Sequence, residues 1–104
     1  MRDMKITTES GSTYTIIHGI CKKYDARDNF VDVFKVYGLA PFNAPIRITD
    51  LYELPKGEPT VGMSIFIWGK DIEWASTPVV GIEYLESESK SVLRRQAIEN
   101  GEEL

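Results

Sequence analysis

The sequence predicts a mainly β fold: a small antiparallel barrel or sandwich of about six to seven strands, followed by one C-terminal α-helix. Three observations carry this expectation. Residues 13–20 and 30–37 alternate with period two and are rich in β-branched and aromatic side chains. Short runs of Gly, Pro, Asn and Asp punctuate the first 85 residues at close spacing. From Glu86 the alternation stops and a helical pattern takes over. A chain of 104 residues has room for a single core. The organisation is therefore read as a β domain over residues 1–85 with a helix and tail over 86–104.

Residues 5–8 and 12–20 form a hairpin in this reading, turned at Glu9-Ser10-Gly11, where Gly11 accepts the positive φ that such turns require. Tyr14, Ile16, His18 and Ile20 fall on one face of the second strand, and Thr13, Thr15, Ile17 and Gly19 on the other. Residues 22–29 are a charged connection ending in the turn signal Asp28-Asn29. The strand over 30–37 is apolar on both faces, as expected of a strand covered on each side in a barrel or at a subunit contact. Residues 38–45 hold two prolines and read as a loop. Residues 46–54 read as a further strand, with Ile46, Ile48, Tyr52 and Leu54 in phase and Asp50 out of place. Residues 55–59 are a Pro- and Gly-rich loop. Strands over 63–68 and 72–76 follow, joined at Gly69-Lys70-Asp71. After an interruption at Thr77-Pro78, residues 79–85 close the β section.

The tail reads as a helix with Ser87 as N-cap and Asn100-Gly101 as its stop, supported by the pairs Glu86/Lys90 and Arg95/Glu99. Its apolar stripe, Val92, Leu93, Ala97 and Ile98, is thin. A helix this short is marginal alone, so the stripe is expected to pack on its own β domain or join copies of the chain into a homo-oligomer.

Composition narrows the function classes. A formal charge of −4 argues against non-specific nucleic-acid binding, which rests on surplus Lys and Arg. The opening residues hold no apolar signal segment, and no run approaches the roughly 20 apolar residues that span a bilayer. With a single cysteine, the expected setting is a reducing cytoplasm.

Catalytic chemistry finds little to work with. His18 and Cys21 are three residues apart and would face opposite ways along one strand, so they read as a strand histidine and a buried thiol rather than a dyad. One His, one Cys and scattered carboxylates make no metal-ligand pattern. The run from Gly62 to Lys70 imitates a phosphate loop, but Asp71 stands where Ser or Thr should hold magnesium. Asp71 and Glu73 read as surface acids. The expectation is a non-enzyme without cofactor or metal.

Rings, hydroxyls and loop cations form the more informative set. Trp74, Ser76 and Thr77 surround a strand interruption, Phe42 and Asn43 sit in a Pro-bounded loop, and Arg27 lies with Lys22 and Lys23 in another. Stacking rings with donors and a cation suit a nucleotide-like ligand. Arg27, Phe42, Asn43, Trp74, Ser76 and Thr77 are therefore the candidate ligand-binding residues. The competing reading places Trp68 and Trp74 in the core, where burial gives Trp its largest effect.

The opening K-I-T-T-E-S-G-S-T-Y-T-I and the later S-T-P-V-V-G-I-E-Y resemble small β-barrel proteins of phages and prophages, in which a T-x-S-G-S-x-Y hairpin and a T-S-P-V strand bracket a variable middle. Some of these resemble anti-defence sponges that sequester cyclic ADP-ribose signals of the Thoeris immune system. Only Ser76-Thr77-Pro78 corresponds residue by residue, with the two hydroxyl residues in reverse order. The resemblance implies capture of a nucleotide messenger without turnover, within an oligomer. Two other functions are kept beside it: a protein inhibitor of a host defence enzyme, anti-CRISPR-like, and a small virion or assembly protein.

Overall fold

The computed structural model describes residues 2–85, which fold into eight antiparallel strands in two sheets, with one helical turn. The chain runs β1 (Met4–Thr8), β2 (Thr13–Ile17), β3 (Ile20–Tyr24), β4 (Phe30–Lys35), β5 (Gly38–Phe42), α1 (Ile48–Leu51), β6 (Ser64–Gly69), β7 (Ile72–Ala75) and β8 (Val79–Tyr84). One sheet has the order β4-β3-β2-β1-β8 and the other β5-β6-β7. The mainly β expectation holds. No closed barrel forms among the described residues. The expected C-terminal helix, and the stripe of Val92, Leu93, Ala97 and Ile98, lie outside them.

The core sits between the sheets. Ile6, Ile16 and Cys21 from the larger sheet meet Ile65 and Ile67 from the smaller one, all at 0% exposure. Fully burying one such aliphatic side chain is worth about 1.5–3 kcal/mol. A second cluster, Phe42, Leu51 and Phe66, lies on the other face of the smaller sheet, with Ile46, Leu54 and Trp68 packed against it. The smaller sheet is thus covered on both faces.

Several segments depart from the sequence reading, and residues 22–24, read as part of a charged connection, belong to strand β3. The long strand over 12–20 is broken at His18-Gly19, whose φ values of 51° and 76° make the two-residue turn that joins β2 to β3. The turn resets the phase, so Tyr14, Ile16 and Cys21 face the core while Ile20 is exposed. Residues 38–42, read as a loop, are a strand. Pro41 is tolerated because β5 is an edge of its sheet, where a missing N–H donor costs little. Residues 46–54, read as a strand, hold α1 instead. Leu51 enters the second cluster while Ile48 and Tyr52 remain exposed, and Arg47 Nε meets Asp50 Oδ2 at 3.2 Å.

β4 also differs from expectation. It is an edge strand with Phe34 packed inward against the core, while Phe30, Val31 and Val33 remain exposed at 58%, 44% and 46%. Its outer face is uncovered among the described residues. The turn before it is held by Asp25, whose carboxylate accepts from the backbone N–H of Arg27 and Asn29 at 2.9 Å each. Those bonds hold the Asp25 carboxyl below its usual range.

Candidate functional site

The six residues singled out from sequence do not gather at one place. In the smaller sheet Ile67 pairs with Trp74, and both side chains pack on the inter-sheet core, whereas Phe42 joins the cluster on the opposite face. No single ligand can touch both rings. Asn43 is exposed just beyond β5, and Arg27 is exposed in the β3–β4 turn.

The hydroxyls of Ser76 and Thr77, expected to meet a ligand, are already engaged within the chain. Ser76 Oγ accepts from the Ile65 N–H at 3.0 Å and donates to the Thr77 carbonyl at 2.7 Å. Thr77 Oγ1 accepts from the Ser10 N–H at 3.1 Å. The chain leaves β7 here and enters β8 in the other sheet, so these hydroxyls stitch the crossover to both sheets. Trp74 already has a cation on its ring: Lys23 Nζ stands 3.5 Å from the ring centroid, an internal cation–π contact. Burial lowers the Lys23 pKa.

His18 and Cys21 are separated by the turn. Cys21 is fully buried, and burial pushes its thiol up to about 12. A thiol held so far above neutrality is a poor nucleophile. Among the described residues no group of three or more His, Cys, Asp or Glu could hold a metal ion, and no helix is long and apolar enough to cross a membrane.

Hollows elsewhere are better formed. The first, of about 200 Å³, opens beside β5 and has Met4 and Leu39 as its buried floor. Arg2, Tyr37 and Lys56 stand exposed at its rim, with Glu58 also in the lining. The 56–59 loop is drawn to this place because the Gly57 N–H donates to the Leu39 carbonyl at 3.1 Å. The Arg2 guanidinium lies 3.9 Å from the centroid of the Tyr84 ring, which steadies it beside the opening.

The second hollow, of about 230 Å³, is lined by Leu51, Tyr52, Phe66, Trp68, Gly69 and Glu73. Phe66 and Trp68 project from the same face of β6, with ring centroids 5.3 Å apart and planes at 31°. Tyr52, delivered by α1, meets Phe66 edge-on at 5.9 Å and 86°. The β6–β7 register sets Glu73 opposite Trp68, and Tyr52 Oη donates to Glu73 Oε1 at 2.6 Å. That bond raises the Tyr52 pKa.

Comparison of the chain with protein families, characterised proteins and solved structures finds no match. Its chemistry must be read from its own residues. Beside an apolar slot, Arg2 and Lys56 present cations suited to an anionic group, whereas the second hollow presents ring faces and a carboxylate. None of the six sequence-derived candidates lines either hollow. A signal for the second existed in the hairpin itself: Gly69 pairs with Ile72, so the turn is the two residues Lys70-Asp71 rather than Gly69-Lys70-Asp71, and Glu73 falls across from Trp68. The first left no comparable trace, because Arg2 and Lys56 come together only through tertiary packing.

Proposed function

We propose that the chain is a non-catalytic binding protein that captures a nucleotide-like ligand without turning it over. The observation that supports this reading is the hollow beside β5, where an aromatic ring and two cations surround an apolar floor. Its volume of about 200 Å³ lies below the roughly 300–1,000 Å³ of pockets that enclose whole small ligands. A nucleotide would seat one flat ring against Met4, Leu39 and Tyr37 and leave its phosphate outside. Arg2, with a planar fork of donors, and Lys56, a point charge, would then meet the phosphate. Sequestration of an immune signal, as by phage anti-defence sponges, is the role that the sequence resemblance implies for such capture.

Contact with another protein is the second reading, whether with a host defence enzyme or with further copies of the chain in an assembly. It is favoured by the outer face of the five-stranded sheet, where a groove of about 540 Å³ is lined by Thr15, Ile17, Ile20, Lys22 and Tyr24.

Calorimetric titration with cyclic and linear adenine nucleotides tests the first reading. At least one should bind and be recovered chemically unaltered. Arg2→Ala and Lys56→Ala should each weaken it roughly two- to tenfold, the range for exposed charge-assisted contacts. A failure of every nucleotide to bind would sink this reading in favour of protein contact. A large loss with Trp74→Ala and none with Arg2→Ala would return the site to the segment over 74–78.

A further inference from the structure

We propose that the hollow bounded by Tyr52, Phe66, Trp68 and Glu73 is a second, independent binding site, built for an alkylated ammonium group. Three features of its construction point there. Phe66, 3% exposed, forms a floor, Trp68 lies beside it with the ring planes 31° apart, and Tyr52 meets it edge-on at 86°. The face of an aromatic ring carries a negative quadrupole that attracts a bulky cation, and Trp offers the strongest such face. At the mouth, Glu73 adds a full negative charge, fixed in place by the 2.6 Å bond from Tyr52. The lining holds no cation.

The surrounding charge agrees. α1 with its flanking residues, the β6–β7 turn and β7 carry Asp50, Glu53, Asp71 and Glu73, against Arg47 and Lys70. Arg47 is engaged with Asp50. The local excess is therefore acidic, and an anion would be repelled by both Glu73 and the ring faces.

The choice of an alkylated ammonium over a guanidinium follows from the acceptors. One oxygen of Glu73 already takes the Tyr52 hydroxyl, so the two-pronged pairing that suits a guanidinium is compromised. The rings offer no conventional acceptor. A quaternary ammonium spreads its charge over its methyl groups, gives up little hydration and leaves no N–H unsatisfied. A volume of about 230 Å³ has room for such a head group. The group can belong to a free small molecule or to a methylated lysine on a protein, and the chemistry at the site is the same.

The test is titration of the full chain, followed by Trp fluorescence and by the amide signals of Gly69 and Glu73. The probes are choline, its uncharged carbon isostere 3,3-dimethyl-1-butanol, and a peptide carrying trimethyllysine beside its unmodified lysine form. Choline or the trimethyllysine peptide should bind at least tenfold more tightly than its uncharged or unmodified counterpart. Preference for the peptide over choline would place the group on a protein, and comparable binding would make it a free small molecule. Glu73→Gln, at an exposed position, should weaken binding about five- to tenfold without loss of fold. Trp68→Phe should retain partial binding because it keeps a ring on the wall. Equal binding of choline and its uncharged isostere, an absence of any cation binding, or full affinity in folded Glu73→Gln would each overturn the proposal.

Discussion

The hollow beside β5 and the hollow beside β6 and β7 belong to one three-stranded sheet, yet they present opposite charges. Gly38 lines the first and lies directly against the Trp68 ring that walls the second. The difference arises from the segments brought to the sheet. The chain start and the 56–59 loop bring Arg2 and Lys56 to one place, while α1 and β7 bring Tyr52 and Glu73 to the other. A small sheet covered on both faces can thus carry two unlike sites, because its scaffold is common and its chemistry is local.

Disturbing what the two hollows share should have the largest effect. The inter-sheet core holds Cys21 and Tyr14, and burial is the leading cause that raises both pKa values to about 12, from ordinary values of 9.0 and 10.0. A group raised in this way favours the fold fully below its unfolded pKa, and that contribution fades as pH rises through the folded value. The contribution of these two groups should therefore be level from neutral pH to about 9 and fall between about 9 and 12, with both hollows lost together. Thermal melts followed by circular dichroism against pH check this. Cys21→Ala should flatten the lower part of the fall.

A smaller and more local disturbance is Gly38→Ala. The added Cβ would run into the Trp68 ring, so the ring must shift. A loss of about 1–3 kcal/mol in denaturant unfolding is expected, as for an overpacked core position. Binding at both hollows should weaken together, since each has a wall at this contact. A variant that lost binding at only one would show the two sites to be mechanically separate.

The smallest effect should come from Ser76→Ala, at a residue that lines neither hollow. Removing its hydroxyl leaves the Ile65 N–H without that acceptor, although the backbone pair between Ser76 N–H and the Ile65 carbonyl remains. A cost of about 1 kcal/mol by chemical denaturation is expected, with affinity at both hollows unchanged. A loss of nucleotide affinity without a loss of stability would instead restore Ser76 to a ligand site.

These outcomes bear on how far the sequence could be read. The hairpin turn at Gly11, the β6 strand, the interruption at Pro78 and the final strand were legible because strand alternation and turn chemistry are local. The His18-Gly19 turn was hidden because β-branched residues run up to it, and only a positive φ at a non-glycine residue marks the reversal. β5 was hidden by Pro41, whose tolerance depends on an edge position that appears only when the sheet assembles. The candidate site was harder still. Trp74, Ser76 and Thr77 are adjacent in sequence, but Ser76 and Thr77 bond across the crossover and Trp74 packs on the core. Glu73 and Trp68 were within reach, because their opposition follows from one hairpin register.

Localising a bound nucleotide is the most direct measurement. Backbone amide shifts of the full chain should be followed during titration with adenosine monophosphate and with a cyclic adenine dinucleotide. Leu39, Gly57 and the neighbouring amides of the 56–59 loop should move in a saturable way, while Ser76 and Thr77 stay fixed and the nucleotide remains intact. Saturable shifts centred on Trp74, Ser76 and Thr77, or no shifts with any nucleotide, would contradict the assignment of the hollow beside β5 as the site of capture.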